Sequence, residues 1–471
     1  MLTTVLILLP LVGAAGLWLT PWRTGRAAGG FALLVALAEL ALWVGTALDF
    51  DFQEGGLQFG ARAVWFDDLG VAYHIGLLDF SLWLVGLTAL VSVAAVAYGF
   101  WTGRERPAVY LGLLLFLEGA TVGVFAAQDL LLFYVFWEAM MIPLYVLIGV
   151  WGGAGRLAAT IKFVVYTLAG SLLMLVAVIA AGLSAGSFAM SEVGRNQSLW
   201  IFLGFAAAFA VKAPIWPFHG WLPDAYREAP AEVSALLSGV ISKAAAYGFL
   251  RIAVPEFPDA VSDWRAPILA LASIGLVYGS LLAFRAPDLR GVVAYSSLAQ
   301  MNLIVIGVFA VNPSGQSGAL LHMVNHGLIS AALFLLAGAI ERRAATGRLA
   351  LLGGMARGRP ILATVLITTG VIALAVPGSS AFAGEFLILN GIFEHGWGWS
   401  VVGALAIVLA AMYVLRLVSA VLHEDVGSAV PEAALDLRPA EVGIVVPLVL
   451  VLLALSFWPA AITDHVFQAT P

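Results

Sequence analysis

The sequence contains no cysteine, and only 11% of its 471 residues are charged. The first absence excludes a disulfide framework, a thiolate zinc site and a cysteine-held iron–sulfur cluster. The second excludes an ordinary soluble protein, because soluble chains carry about 25% charged residues to coat their surface. Basic residues never run to five in a row and no low-complexity tail is present, so nucleic acid is not an expected partner. Walker A, the dinucleotide-binding glycine fingerprint, a nucleophile elbow and H-E-x-x-H are also missing. ATP hydrolysis, hydride transfer and zinc hydrolysis are therefore not expected within this chain.

What is present is apolar. Hydrophobic residues make up 62% of the chain and the mean hydropathy is +1.01, values that fit a protein whose main solvent is lipid. Fourteen apolar stretches are long enough to cross ~30 Å of hydrocarbon, at 2-19, 29-48, 78-100, 108-127, 129-150, 157-183, 199-219, 233-254, 263-284, 288-311, 315-340, 361-390, 397-423 and 441-462. The expected fold is an all-α integral membrane protein of about fourteen transmembrane helices. The first stretch lacks a preceding charge and a small-residue cleavage site, so it reads as a retained helix.

Sorting the basic residues by alternate connections sets the orientation. Fourteen of the 22 fall on one face and four, Arg62, Arg195, Arg251 and Arg265, on the other. By the positive-inside rule the Arg-rich face is cytoplasmic and both termini face outward. The remaining four, Lys162, Lys212, Lys243 and Arg416, are read at membrane depth, and they include every lysine in the chain. Lysine loses its proton readily on burial whereas arginine does not.

Two stretches are interrupted. Span 7 carries Pro214 and Pro217 just after Lys212, and span 12 carries Pro377 before Glu385. Proline at membrane depth frees a carbonyl that only protein or a water-lined cavity can satisfy. Broken helices at matching places in two halves point to a repeat-built transporter. The expected organisation is 1-107 with an outer-face loop at 49-77, a first five-helix repeat at 108-254, an inverted second repeat at 263-423, and a last helix within 424-471.

Glu118, Glu138 and Glu385 are the carboxylates read at membrane depth, with Asp129 at the start of span 5. A charge at the bilayer centre costs about 2.5–3.5 kcal/mol on insertion scales, so these groups should face the interior, be paired, or be neutral. Glu138 with Lys212 is open to two readings, an inert packing pair or a switchable one. His219 follows Lys212 by seven residues. His322 and His326 share one helix face, as interhelical hydrogen-bonding groups, members of a proton relay, or two ligands of a metal; a third ligand cluster is lacking, and no metal is expected. The inventory of Lys, Glu and His favours movement of a proton.

The stretches Glu118-Gly-Ala, Gln128-Asp129 through Phe136-Trp137-Glu138, Phe209 through Lys212-Ala-Pro214, Pro217-Phe-His219 through Asp224, Lys243 through Arg251, Asn325-His326-Gly, and Pro377 through Glu385-Phe resemble the antiporter-like membrane subunits of respiratory complex I, the proton-translocating NADH:quinone oxidoreductase. Sister chains and sodium/proton antiporter subunits usually carry Lys in span 12, whereas one branch carries Glu, as Glu385 does here. The resemblance implies that Glu138 modulates Lys212, that Lys243 is a central relay, that His326 bridges, and that Glu385 exchanges protons with the outside. It implies membership of a translocase with no redox chemistry in this chain, FMN, iron–sulfur clusters and quinone being held by other subunits. The implied partners are other membrane subunits of the complex, including sister chains on either side, and the bilayer of the bacterial inner membrane. Where relatives often carry His in span 10 this chain has Gln300, which cannot relay by gaining a proton; His322 is the residue expected to compensate. A sodium/proton antiporter subunit and a purely structural scaffold are the alternative functions.

Overall fold

The computed structural model describes residues 1–193, 198–431 and 435–467. Arg195 and the end of the chain beyond 467 lie outside the described residues. In chain order the elements begin with α1 (Leu2–Leu19), α2 (Gly25–Leu48), β1 (Gln58–Phe66), β2 (Val71–Leu77), α3 (Asp79–Thr102), α4 (Pro107–Ala126), α5 (Leu130–Ala139), α6 (Met141–Trp151) and α7 (Arg156–Ala185). They continue with α8 (Leu199–Lys212), α9 (Leu222–Glu228), α10 (Ala231–Leu236), α11 (Lys243–Gly248), α12 (Val254–Glu256), α13 (Pro258–Arg285) and α14 (Leu289–Val308). The last are α15 (Pro313–Ala344), α16 (Pro360–Ala373), α17 (Ser380–Phe393), α18 (Trp397–Leu422), α19 (Pro439–Phe457) and α20 (Ala460–Thr463).

Among the described residues, 12 helical segments are long and apolar enough to cross a membrane, and three shorter apolar helices, α8, α16 and α17, stand at the two interrupted spans. This differs from fourteen continuous spans for a local reason: the proline breaks end α8 at Lys212 and split 361-390 into α16 and α17. Ala375 at φ 51° and Gly378 at φ 97° turn the backbone between those two, and the Ser379 side chain accepts from Phe382 N–H to start α17. The stretch at 129-150 is likewise two helices, α5 and α6, meeting at Met140. The stretch at 49-77 forms an antiparallel hairpin with Arg62 opposite His74.

Two compact units divide the chain, Met1–Ala213 with Val240–Ala266, and Pro214–Gly239 with Pro267–Pro471. The first therefore holds α1 to α8, α11 and α12, the second α9, α10 and α14 to α20, with the boundary at Ala266 falling inside α13. These units follow packing, whereas 108-254 and 263-423 follow the inferred repeat.

At each proline break a buried asparagine of the second unit satisfies a carbonyl. Asn302 of α14 donates to the Pro214 carbonyl at 3.3 Å, and Asn325 of α15 donates to the Ser380 carbonyl at 2.7 Å. Both side chains are fully buried. This is what lets an irregular backbone persist where lipid offers no donor.

Helix α15 is interior along its whole apolar window, and it packs on α17 through small residues. A Cβ at Gly318 would lie 2.7 Å from the Ile388 backbone nitrogen, and one at Gly391 would lie 2.4 Å from that of Gly315. Such close approach is the usual way two helices associate where both are surrounded by apolar material.

Candidate functional site

In the first unit, Lys212 ends α8 at the break. Its side chain is 2% exposed, its Nζ has no hydrogen-bond partner, and that nitrogen lies 3.6 Å from the centroid of the Trp137 ring. Glu138, the next residue on α5, is the charged neighbour whose field acts on Lys212. One of its carboxylate oxygens, Oε1, is buried without a hydrogen-bond partner. The close contact of the amine is thus the indole face of Trp137, with Glu138 acting on it through its charge.

Lys243 is fully buried. It opens α11 between two π-helical turns, at Leu237–Ile241 and Phe249–Ala253, and its Nζ is 3.4 Å from Ser242 Oγ. Wide turns of this kind often occur at functional positions. Glu118 of α4 is 1% exposed and both its oxygens lack a hydrogen-bond partner.

Sequence reading missed a second such group. Glu39 on α2 is fully buried, its oxygens also lack partners, and its charge acts on Glu118. The available signal was a lone carboxylate in a 24-residue apolar helix, where a charge is expensive. Lys162, on α7, is half-buried. Asp129, by contrast, serves the structure: its side chain accepts from Leu131 and Leu132 N–H to cap α5, and from Ala72 N–H of the hairpin at 3.2 Å. On that same hairpin, burial and then the Arg62 charge hold the His74 imidazole below its ordinary pKa.

In the second unit, Gln300, His322, His326, Glu385 and Tyr413 line one cavity of about 30 Å³, together with Ser296 and Ser330, a volume that admits water. His322 Nε2 is 2.8 Å from Gln300 Oε1 and 4.0 Å from Glu385 Oε1. Glu385 and Tyr413 lie within reach of the Gln300 side chain. The His322 and His326 rings are 6.4 Å apart. Tyr413 was missed because a buried tyrosine in an apolar helix looks like core. His219 is half-buried, with its ring 5.1 Å from that of Tyr278, and it is not among the residues lining this cavity.

Arg416 finds its partners at the end of a neighbouring helix. It donates to the Ala286 carbonyl at 2.9 Å and lies over Phe284, so it satisfies the end of α13, where carbonyls have no helical partner.

Chemically, the first unit offers an amine on an aromatic face within the field of a carboxylate, in apolar surroundings. The second offers an imidazole next to a carboxyl group in a cavity of water size. Both consist of groups that can take up and release a proton.

A family model described as NADH:quinone oxidoreductase/Mrp antiporter, transmembrane, matches residues 127–411. NADH-quinone oxidoreductase subunit M of Rickettsia bellii is 35% identical over 88% of this chain and 86% of the relative. NAD(P)H-quinone oxidoreductase chain 4 1 of Synechococcus elongatus is 36% identical over 99% and 90%. Among solved structures, a chain of respiratory complex I from Thermus thermophilus with bound NADH superposes with a TM-score of 0.90 at 32% identity, covering 99% of this chain and 97% of that one. A chain of the Mrp complex from Dietzia sp. DQ12-45-1b has the same fold, with a TM-score of 0.88 at 23% identity over 99% and 96%. The family match from the end of α4 into α18, and relatives aligned along nearly the whole chain, establish that this protein belongs to the NADH:quinone oxidoreductase/Mrp antiporter transmembrane family.

Proposed function

We propose that this chain is a proton-translocating membrane subunit of an NADH:quinone oxidoreductase. The observation that carries the proposal is the buried, unbonded Lys212 amine beside Glu138 at a break in α8, since a packing pair needs neither the break nor the missing bonds. In each turnover a shift of Glu138 relative to Lys212 changes how tightly the amine holds its proton. The proton passes by Lys243 and His326 to Glu385 and leaves on the outer face. His322 stands in for a relay group at Gln300, supported by its direct contact with Gln300 and its approach to Glu385. Glu118 and His219 are further proton-transfer groups of this reading.

Exporting one charge costs about 2.3 kcal/mol per 100 mV of membrane potential, so the step must be coupled to quinone reduction. That chemistry, with FMN, iron–sulfur clusters and quinone, resides in other subunits. This chain lies among membrane subunits of the complex, between sister antiporter-like chains, in the bacterial inner membrane with both termini outside. Its two halves, 108-254 and 263-423, are inverted repeats.

Lys243→Ala tests the reading. Inverted vesicles carrying the variant should contain the assembled complex yet lose both quinone-linked NADH oxidation and proton uptake, by about a hundredfold if Lys243 is a proton-transfer group of ordinary strength. Unchanged uptake overturns the proposal. Uptake that requires sodium and continues without NADH assigns the chain to the antiporter class instead.

A further inference from the structure

Lys212 does not rest on its carboxylate. Its Nζ is 3.6 Å from the Trp137 ring centroid and makes no hydrogen bond, although Glu138 follows Trp137 directly. An ammonium group centred over an indole face is attracted by the negative face of the ring, and tryptophan is the strongest of the aromatic side chains in this role. Shielded from water, that attraction is worth more than at a surface.

The ring is itself held in place. Trp137 is 2% exposed, with Phe133 and Phe209 each 5.6 Å away, centroid to centroid. Phe209 packs edge-on against Phe249 at 5.2 Å. Phe209 lies three residues before Lys212 on α8, so one aromatic cluster fixes both the indole and the helix end that carries the amine. The ring over which the amine is centred is that of Trp137, so the indole face is the contact that seats it.

We propose that Trp137 is a positioning residue for proton translocation: it seats the protonated Lys212 amine on its indole face in the resting state, beside Glu138 and not bonded to it. The stroke then consists of the amine leaving the indole for the carboxylate, a short swing that needs no helix to unfold. This inference rests on the proposed proton-translocating function.

The test varies the electrostatics of the ring and hardly alters its shape. Trp137 is replaced in the intact complex by 5-fluoro-, 5,7-difluoro- and 5,6,7-trifluorotryptophan, each fluorine weakening the negative face. Amounts of assembled complex in the membrane should stay constant, while NADH-driven proton uptake falls stepwise, on the order of tenfold across the series. Trp137→Phe should keep an intermediate rate and Trp137→Leu the lowest. A flat fluorine series at constant assembly overturns the seat, because a purely packing role is insensitive to fluorine. Lys212→Ala in the same vesicles separates the two claims. Loss of uptake there with a flat series removes the seat alone. Retained uptake removes the proposed function and the seat with it.

Discussion

Lys212→Ala is expected to lower NADH-driven proton uptake by inverted vesicles by about a hundredfold, the low end of what a positioned proton-transfer group contributes. The residue is 2% exposed, has no hydrogen bond to lose, and its removal leaves the Trp137, Phe133 and Phe209 cluster standing. Alanine also favours the helix, so the chain should still assemble, and the loss should be in proton transfer and not in folding. Lys212→Arg makes the informative comparison. It keeps a positive charge near Glu138 but cannot release a proton at any working pH, so uptake should stay low. An arginine variant with normal uptake would reduce Lys212 to a fixed counter-charge.

Glu385→Gln is expected to lower the same measurement by about a hundredfold as well. The substitution preserves size and the capacity to hydrogen-bond Gln300, while removing the proton-carrying group from the cavity shared with His322, His326 and Tyr413. Because the side chain is 1% exposed and packed beside Gly384 and His322, the amide should be accommodated without disturbing the α15 and α17 contact. Asp in place of Glu should restore part of the rate, since it carries a proton on a shorter arm. His322→Gln is the companion variant: with Gln300 opposite, it leaves two amides where an imidazole had been, and full uptake in that variant would show that His322 takes no part.

Much of the architecture was legible because lipid imposes simple demands. Helices must be about 20 residues long, and buried charge must be rare and purposeful. Those demands identify Lys212, Lys243, Glu118, Glu138 and Glu385 from the sequence, and they should have identified Glu39 as well. Proline also announced both breaks. Their form was less legible: span 12 is two helices because Ala375 and Gly378 reverse the backbone, and local pattern does not say how the freed carbonyls are satisfied. Asn302 and Asn325 supply that answer from helices distant in sequence. Asp129 and Arg416 illustrate the complementary difficulty. A buried polar residue looks the same in sequence whether it moves a proton or satisfies a helix end, and only the partner distinguishes the two.

The sequence by itself determined the solvent, the approximate number of crossings and the small set of titratable groups that lipid forces inward, since these follow from composition, length and the cost of burying charge. Tertiary structure alone decided which groups meet. It set Lys212 on Trp137 in place of a direct bond to Glu138, and it placed His322 between Gln300 and Glu385. Contacts between side chains far apart in the chain depend on how helices rotate and pack, and no single helix encodes that.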